Sequence, residues 1–275
     1  GRFDPAGFVL SAAGLASLMY ALSEAGDNGW TDTRVIGFGV AGLALIAAFV
    51  VVELRTAEPM LDVRLLRNAL FRACNLAWLV TMFAGSSMIF LLTLQLQAAR
   101  GLSPLESGLT TFTMAIGVMI TAQPASRLYR TVGPRRMIGA GMVVSALVTI
   151  SLSFIAIDTN LWVIRGLMVL RGIGFGCVLV PLQAATYAQI ARSDTGRATA
   201  LYNATSQFAS GLGVAVGATF LTSRLSHYDA VLGNPATRVP ANSAFQDALL
   251  LIGVLALIGG AVTLLIRDRD AAATM

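Results

Sequence analysis

Eight separate apolar stretches, each long enough to cross a bilayer, occupy most of this chain, near residues 5–22, 34–52, 73–97, 107–124, 137–157, 161–189, 198–222 and 245–266. A hydrocarbon core about 30 Å thick requires about 20 apolar residues in a helix. The lipid bilayer is therefore the solvent in which this sequence folds. The runs are continuously apolar and lack the alternation of a spanning β-strand, so helices are expected rather than a barrel. Only 12% of the residues are charged and 56% are hydrophobic, with a mean hydropathy of +0.75, a balance that no aqueous core could bury. The expected fold class is all-α, a polytopic membrane helical bundle of eight transmembrane helices.

The chain carries a net charge of +5, and all 19 basic residues are arginine. With residue 1 on the cytoplasmic side, 13 arginines fall in inner segments, five (Arg34, Arg100, Arg165, Arg224 and Arg238) fall in outer ones, and Arg171 lies inside a span. The opposite orientation would violate the positive-inside rule. A multi-pass protein of the cell membrane with Gly1 and Met275 both cytoplasmic is expected. The charges are dispersed over alternate loops and form no continuous patch, which argues against nucleic acid as a partner.

Cys74 and Cys177 lie in apolar spans and read as small buried hydrophobes without a disulfide. His227, beside Tyr228 and Asp229, reads as a surface residue and not a metal ligand. The sequence shows no paired-acid metal motif, no Ser/His/Asp constellation and no phosphate loop ending in Lys-Ser/Thr, so neither enzyme activity nor a metal or cofactor is expected. The chain opens on Gly1, and its first apolar run follows Asp4-Pro5 without a basic leader, so it reads as the later part of a longer protein.

Residues 1–52 read as two linking transmembrane helices, 53–72 as a cytoplasmic amphipathic connector, and 73–275 as a six-helix bundle. In the connector, Leu61, Leu65 and Leu66 share one helical face while Arg64, Arg67 and Asn68 share another. Three stretches carry more than anchoring requires. The first is the inner turn at 126–136, where Gly133-Pro134 stands among Arg127, Arg130, Arg135 and Arg136. In the second, Arg171-Gly172-Ile173-Gly174-Phe175-Gly176, with Pro181 and Gln183, combines small residues that admit close helix approach with a kink-forming proline. In the third, Asn203, Gln207, Ser210 and Gly211 share a face, and Gly213 with Gly217 makes a GxxxG pair.

These motifs, in this order, resemble the C-terminal portion of a fourteen-helix transporter of the major facilitator superfamily, in the branch of drug:proton antiporters. The resemblance runs over essentially the whole chain. Gly29-Trp30, Glu58-Pro59, Gly101-Leu102-Ser103-Pro104 before Gly108-Leu109, Gly172 to Gly176 with Pro181, and Gly196-Arg197-Ala198 leading to Gly211-Leu212-Gly213-Val214-Ala215 carry it. It implies that the first two spans are the helix pair separating the halves and that the last six are the C-terminal half. The inner turn resembles the second-half copy of the family's Asp-Arg-x-Gly-Arg-Arg type latch. Arg130 stands where the acidic residue would be and Thr131 where the first arginine would be, so only Gly133, Arg135 and Arg136 carry over.

The resemblance further implies proton-coupled efflux of a small-molecule substrate by alternating access, with a missing N-terminal half of the same protein as partner and the lipid bilayer as surroundings. An aromatic and Met-containing lining would suit hydrophobic or cationic compounds. Among the polar groups of the last six spans, Gln95, Gln183, Asn203 and Gln207 are the candidates for substrate binding, although interhelical hydrogen bonding is the competing use of each. Gly133, Arg135 and Arg136 are candidates for gating. Arg171 is a candidate for gating or coupling, and a charge at its depth costs about 2.5–3.5 kcal/mol unless it snorkels or finds partners. In the family, the proton-relay arginine of the matching first-half helix stands where Met168 stands here. No aspartate or glutamate lies near the middle of the last six spans, so the protonatable group is expected in the missing half. The alternative is a membrane scaffold or assembly subunit, which would scatter its polar residues around the helices instead of converging them.

Overall fold

The structure is a computed structural model, and it describes residues 5–28, 31–55 and 61–266. Gly29-Trp30, Glu58-Pro59 and the terminal arginines Arg2, Arg267 and Arg269 lie outside the described residues. Eight α-helices follow one another: α1 (Pro5–Asn28), α2 (Thr33–Arg55), α3 (Ala69–Leu94), α4 (Pro104–Val132), α5 (Pro134–Leu152), α6 (Leu161–Tyr187), α7 (Thr195–His227) and α8 (Arg238–Gly259). No strand occurs among the described residues. Seven of the helical segments are long and apolar enough to cross a membrane, and α1 carries a shorter apolar run, Val9–Ala21. The protein is a multi-pass membrane protein.

Local signals set the helix limits. Ser103 and Glu106 form a reciprocal capping box ahead of Pro104 at the start of α4. Asn68 and Asn160 cap α3 and α6 through their side-chain oxygens. The α4–α5 turn is made by Gly133 at φ 85°, where a side chain would be strained, followed by Pro134 at the first position of α5. α6 runs unbroken through Pro181.

In lipid, helices gain little from burying apolar surface against each other, so association depends on how closely their backbones pack. Glycine decides two of the main crossings. A Cβ on Gly172 of α6 would stand 2.0 Å from the Met114 carbonyl oxygen of α4, and one on Gly117 would stand 2.0 Å from the Val169 carbonyl oxygen. On α7, a Cβ at Gly213 would stand 2.1 Å from the Phe83 carbonyl oxygen of α3, and Gly217, one turn on, lies against Ser87. The GxxxG pair therefore packs α7 onto α3.

These two crossings are related. Exchanging the triplet α3–α5 with α6–α8 converts the α4·α6 pair into the α7·α3 pair, the internal repeat expected of a six-helix transporter half. The remaining core joins α3, α5, α6 and α8. Met88, Leu91 and Leu92 of α3 meet Leu152, Ile164, Met168, Phe245 and Leu249 at one end, while Cys74, Ile138, Met142, Val178 and Leu182 fill the other. Large apolar residues are left exposed on the helices, Val40, Phe112, Met119 and Ile258 among them, as expected of a bundle surrounded by hydrocarbon.

The connector is shorter than its sequence pattern suggests. A 3₁₀ turn, Val63–Arg67, is capped by Asp62, and Leu61, Leu65 and Leu66 pack beside Phe71, Ala198 and Leu201. Asn68 donates to Gln189 at 3.1 Å, and Asp62 pairs with Arg197 at 3.8 Å. The helix pair α1–α2 docks through α1, which lies against α7.

Gly172→Ala is expected to lower the detergent melting temperature markedly, since overpacking against backbone costs about 1–3 kcal/mol or more. Gly166→Ala, on the same helix but with open space around it, should leave the melting temperature unchanged or raised. For orientation, cysteines at the exposed positions Thr131 and Ala236, in a background without Cys74 and Cys177, are expected to differ. An impermeant thiol reagent should reach Ala236→Cys in intact cells, and Thr131→Cys only after permeabilisation.

Candidate functional site

Polar groups in the spans separate into those turned into the bundle and those turned out of it. Gln95 belongs to the first set. It is fully buried where α3 passes into a π-helical turn, Gln95–Ala99. Its side-chain nitrogen donates to the Asn242 side-chain oxygen of α8 at 2.9 Å, and Asn242 in turn donates to the Ile155 carbonyl at 3.1 Å. Gln246 donates to the same carbonyl at 2.9 Å. Gln95 thus ties α3 to α8 and, through Asn242, to the segment after α5, and it is buried whereas the other three candidates are exposed.

Arg171 also points inward. It is 3% exposed, and its Nη1 donates to the Thr149 hydroxyl at 3.0 Å and to the Ser145 carbonyl at 3.3 Å, both on α5. The arginine does not snorkel. Its head lies beside a cavity lined by α3, α5, α6 and α8, which includes Thr81, Ser145, Phe175 and Val178.

Gln183 on α6 and Asn203 and Gln207 on α7 are exposed. Asn203 and Gln207, one turn apart, share a face of α7. Gln207 lines an open hollow between α1 and α7 together with Leu15, Met19, Leu61 and Phe208. The helix pair read from sequence as a linker therefore supplies part of the wall beside this face. Gln123 of α4 is likewise exposed.

Sequence reasoning passed over the aromatic cluster next to these amides. Trp78 of α3 stacks on Tyr202 of α7 with ring centres 5.1 Å apart and 12° between planes, Phe175 of α6 lies 6.3 Å from Trp78, and Tyr187 lies 6.2 Å from Tyr202. The Trp78 indole N–H and the Tyr202 hydroxyl are buried without a hydrogen-bond partner. The stack joins α3 to α7 within the buried core, and aromatic pairs of this geometry add to the packing of a crossing. The residues stand at 78, 175, 187 and 202, and no sequence spacing signals that they meet.

The α4–α5 turn is anchored to the bundle. The Gly133 N–H donates to the Tyr129 carbonyl at 3.1 Å. Tyr129 and Met137 pack beside Ala125, Cys177 and Val180. Arg135 and Arg136 are exposed in the first turn of α5, where the helix dipole disfavours a cation by about 0.3–1 kcal/mol. At the other end of the bundle, the Arg224 Nε donates to the Asp247 carboxylate at 2.7 Å and the Tyr228 hydroxyl donates to the same oxygen at 3.0 Å, which clamps α7 to α8. Arg100 joins the end of α3 to the Thr159 carbonyl. Burial lowers its pKa from the ordinary value, and the Asp158 charge acts in the opposite direction.

The last six helices form an internal repeat whose equivalent crossings are made at glycine. The family model of the Major Facilitator Superfamily matches residues 74–274. The chain belongs to the major facilitator superfamily. It is 33% identical to the "Cephamycin export protein CmcT" of Amycolatopsis lactamdurans, over 93% of this chain and 51% of that protein. It is 31% identical to the "Uncharacterized MFS-type transporter YhcA" of Bacillus subtilis (strain 168), over 90% of this chain and 47% of that protein. Identity to the "Puromycin resistance protein pur8" of Streptomyces alboniger is 28%, over 99% of this chain and 55% of that protein. The chain spans about half the length of the curated relatives it matches.

Asn242→Leu is expected to destabilise the bundle by about 1–3 kcal/mol, because it strips the partner from a buried Gln95 amide. Denaturant titration in detergent checks this, and the Gln95 amide should then exchange faster with solvent.

Proposed function

We propose that this chain is the C-terminal part of a proton-coupled exporter of hydrophobic or cationic small molecules in the cell membrane, working by alternating access against an N-terminal bundle of the same protein. The observation that carries the reading is the exposure of the amides Asn203 and Gln207 on α7 and Gln183 on α6, within helices long and apolar enough to cross a membrane. Lipid tails cannot solvate amides, so these groups belong against water, substrate or a second bundle. Relatives named for cephamycin export and puromycin resistance support a small-molecule substrate.

Within this reading the residues take distinct roles. Gln183, Asn203 and Gln207 line the substrate path. Gly133 makes the sharp turn that presents Arg135 and Arg136, and these two guanidinium groups meet an anionic surface on the opposing half or the inner leaflet as the halves rock. Of the carboxylates in the last six spans, Glu106 is used in the capping box of α4 and Asp247 in the clamp with Arg224. Protonation is therefore assigned to the N-terminal half. Both termini of this chain lie on the cytoplasmic side.

Asn203→Leu and Gln207→Leu in the complete transporter are expected to change the spectrum of exported compounds several-fold while membrane levels stay the same. Drug-susceptibility panels with matched immunoblots check this, and loss of expression without altered specificity would reassign both residues to packing. In liposomes with an imposed pH gradient, the 275-residue chain alone is expected to show no lipophilic-cation transport, and addition of the N-terminal half to restore it.

A further inference from the structure

Arg171 is the one guanidinium among the described residues that lies deep in the bundle on a membrane-spanning helix, and the fold gives it no opposite charge. It is 3% exposed. Of the ion pairs, Arg197 joins Asp62 and Arg224 joins Asp247, and neither includes Arg171. Among the described residues its hydrogen-bond acceptors are the neutral Thr149 hydroxyl and the Ser145 carbonyl. A buried cation without a counter-charge is among the most costly arrangements a membrane protein can hold.

The groups beside it are arranged as if a charge were missing. The Arg171 Nε is buried without a partner, and so is the Ser145 hydroxyl. Both residues line the same cavity, together with Thr81, and the rest of its wall is apolar: Val80, Ala84, Met142, Phe175, Val178 and Ala256. The Arg171 Nη2 reaches across to α3, 3.6 Å from where a Cβ on Gly85 would stand. The space has room for about one water-sized particle. Unused N–H and O–H donors, a full positive charge and apolar walls favour a small monovalent anion, because such a site neutralises charge as well as filling donors. A carboxylate-bearing solute is too large for the space.

We propose that the cavity between α3, α5, α6 and α8 is a binding site for a halide-sized anion, held by the Arg171 guanidinium and the Ser145 hydroxyl. The anion is the counter-charge that lets Arg171 remain inside the bundle. This site is separate from the amide face of α7, and it does not depend on the direction or coupling of transport.

The purified 275-residue chain in detergent tests this with chloride and bromide as probes, against gluconate at matched ionic strength. Chloride and bromide should raise the melting temperature by several degrees in a saturable way, and the ³⁵Cl resonance should broaden in the presence of protein. Arg171→Met should abolish both effects. Should that variant fail to fold, Ser145→Ala, which keeps the guanidinium and its bond to Thr149, should shift the chloride midpoint upward by threefold or more. Equal melting temperatures in chloride and gluconate would mean that the cavity holds water alone and would overturn the proposal. A chloride response unchanged in Arg171→Met, or in Ser145→Ala, would overturn it equally.

Discussion

Close backbone contact at glycine is the constraint on which this bundle depends. In hydrocarbon the apolar side chains of two helices have no reason to prefer each other to lipid, so van der Waals contact and hydrogen bonding must hold them together. Gly117 with Gly172, and Gly213 against Phe83, bring α4 onto α6 and α7 onto α3 with no space for a Cβ between them. Everything functional is then positioned relative to those two crossings. α7 commits Gly213 and Gly217 to α3 and leaves Asn203 and Gln207, nearer its N-terminal end, exposed. Likewise α6 turns Arg171 toward α5 because Gly172 and Gly176 are committed to α4.

Polar residues acquire two opposite uses in such a bundle. A side chain turned inward must find its partners within the protein, as Gln95 does through Asn242, and the result is a structural tie. One turned outward at membrane depth cannot be satisfied by lipid, so it marks where lipid is not. Asn203 and Gln207 are turned outward within α7, and Gln183 is turned outward one turn before the end of α6. The same amide chemistry therefore reads as cement in α3 and as a candidate binding surface in α6 and α7. Burial, not residue type, decides between them.

The membrane class, the helices and most of their limits were legible in the sequence, because about 20 consecutive apolar residues admit few alternatives and Ser103, Asn68 and Gly133 punctuate the runs. The GxxxG pair correctly announced a close crossing. The direction in which single polar residues point was harder to read, because nearly all-apolar helices have little amphipathic contrast to orient them. The expectation grouped Gln95 with Asn203 on the basis of residue type, whereas the structure separates them by burial. The Trp78–Tyr202 stack was beyond reach, since it depends on the α3·α7 crossing and on no local pattern.

Arg171 shows how a crossing glycine can supply the missing orientation. On a helix, residues three, four and seven apart share a face. Arg171, Phe175 and Val178 follow that spacing, and all three line the same cavity. Gly174 belongs to this face, and a Cβ there would stand 2.9 Å from the Gly141 carbonyl of α5. The face of α6 that carries Arg171 is therefore the one pressed against α5, and a side chain beginning there has no path to either membrane surface. Snorkelling requires a lipid-facing start. An arginine three residues before a glycine that packs against another helix backbone is enclosed by the same contact, and its charge must be answered from inside the bundle.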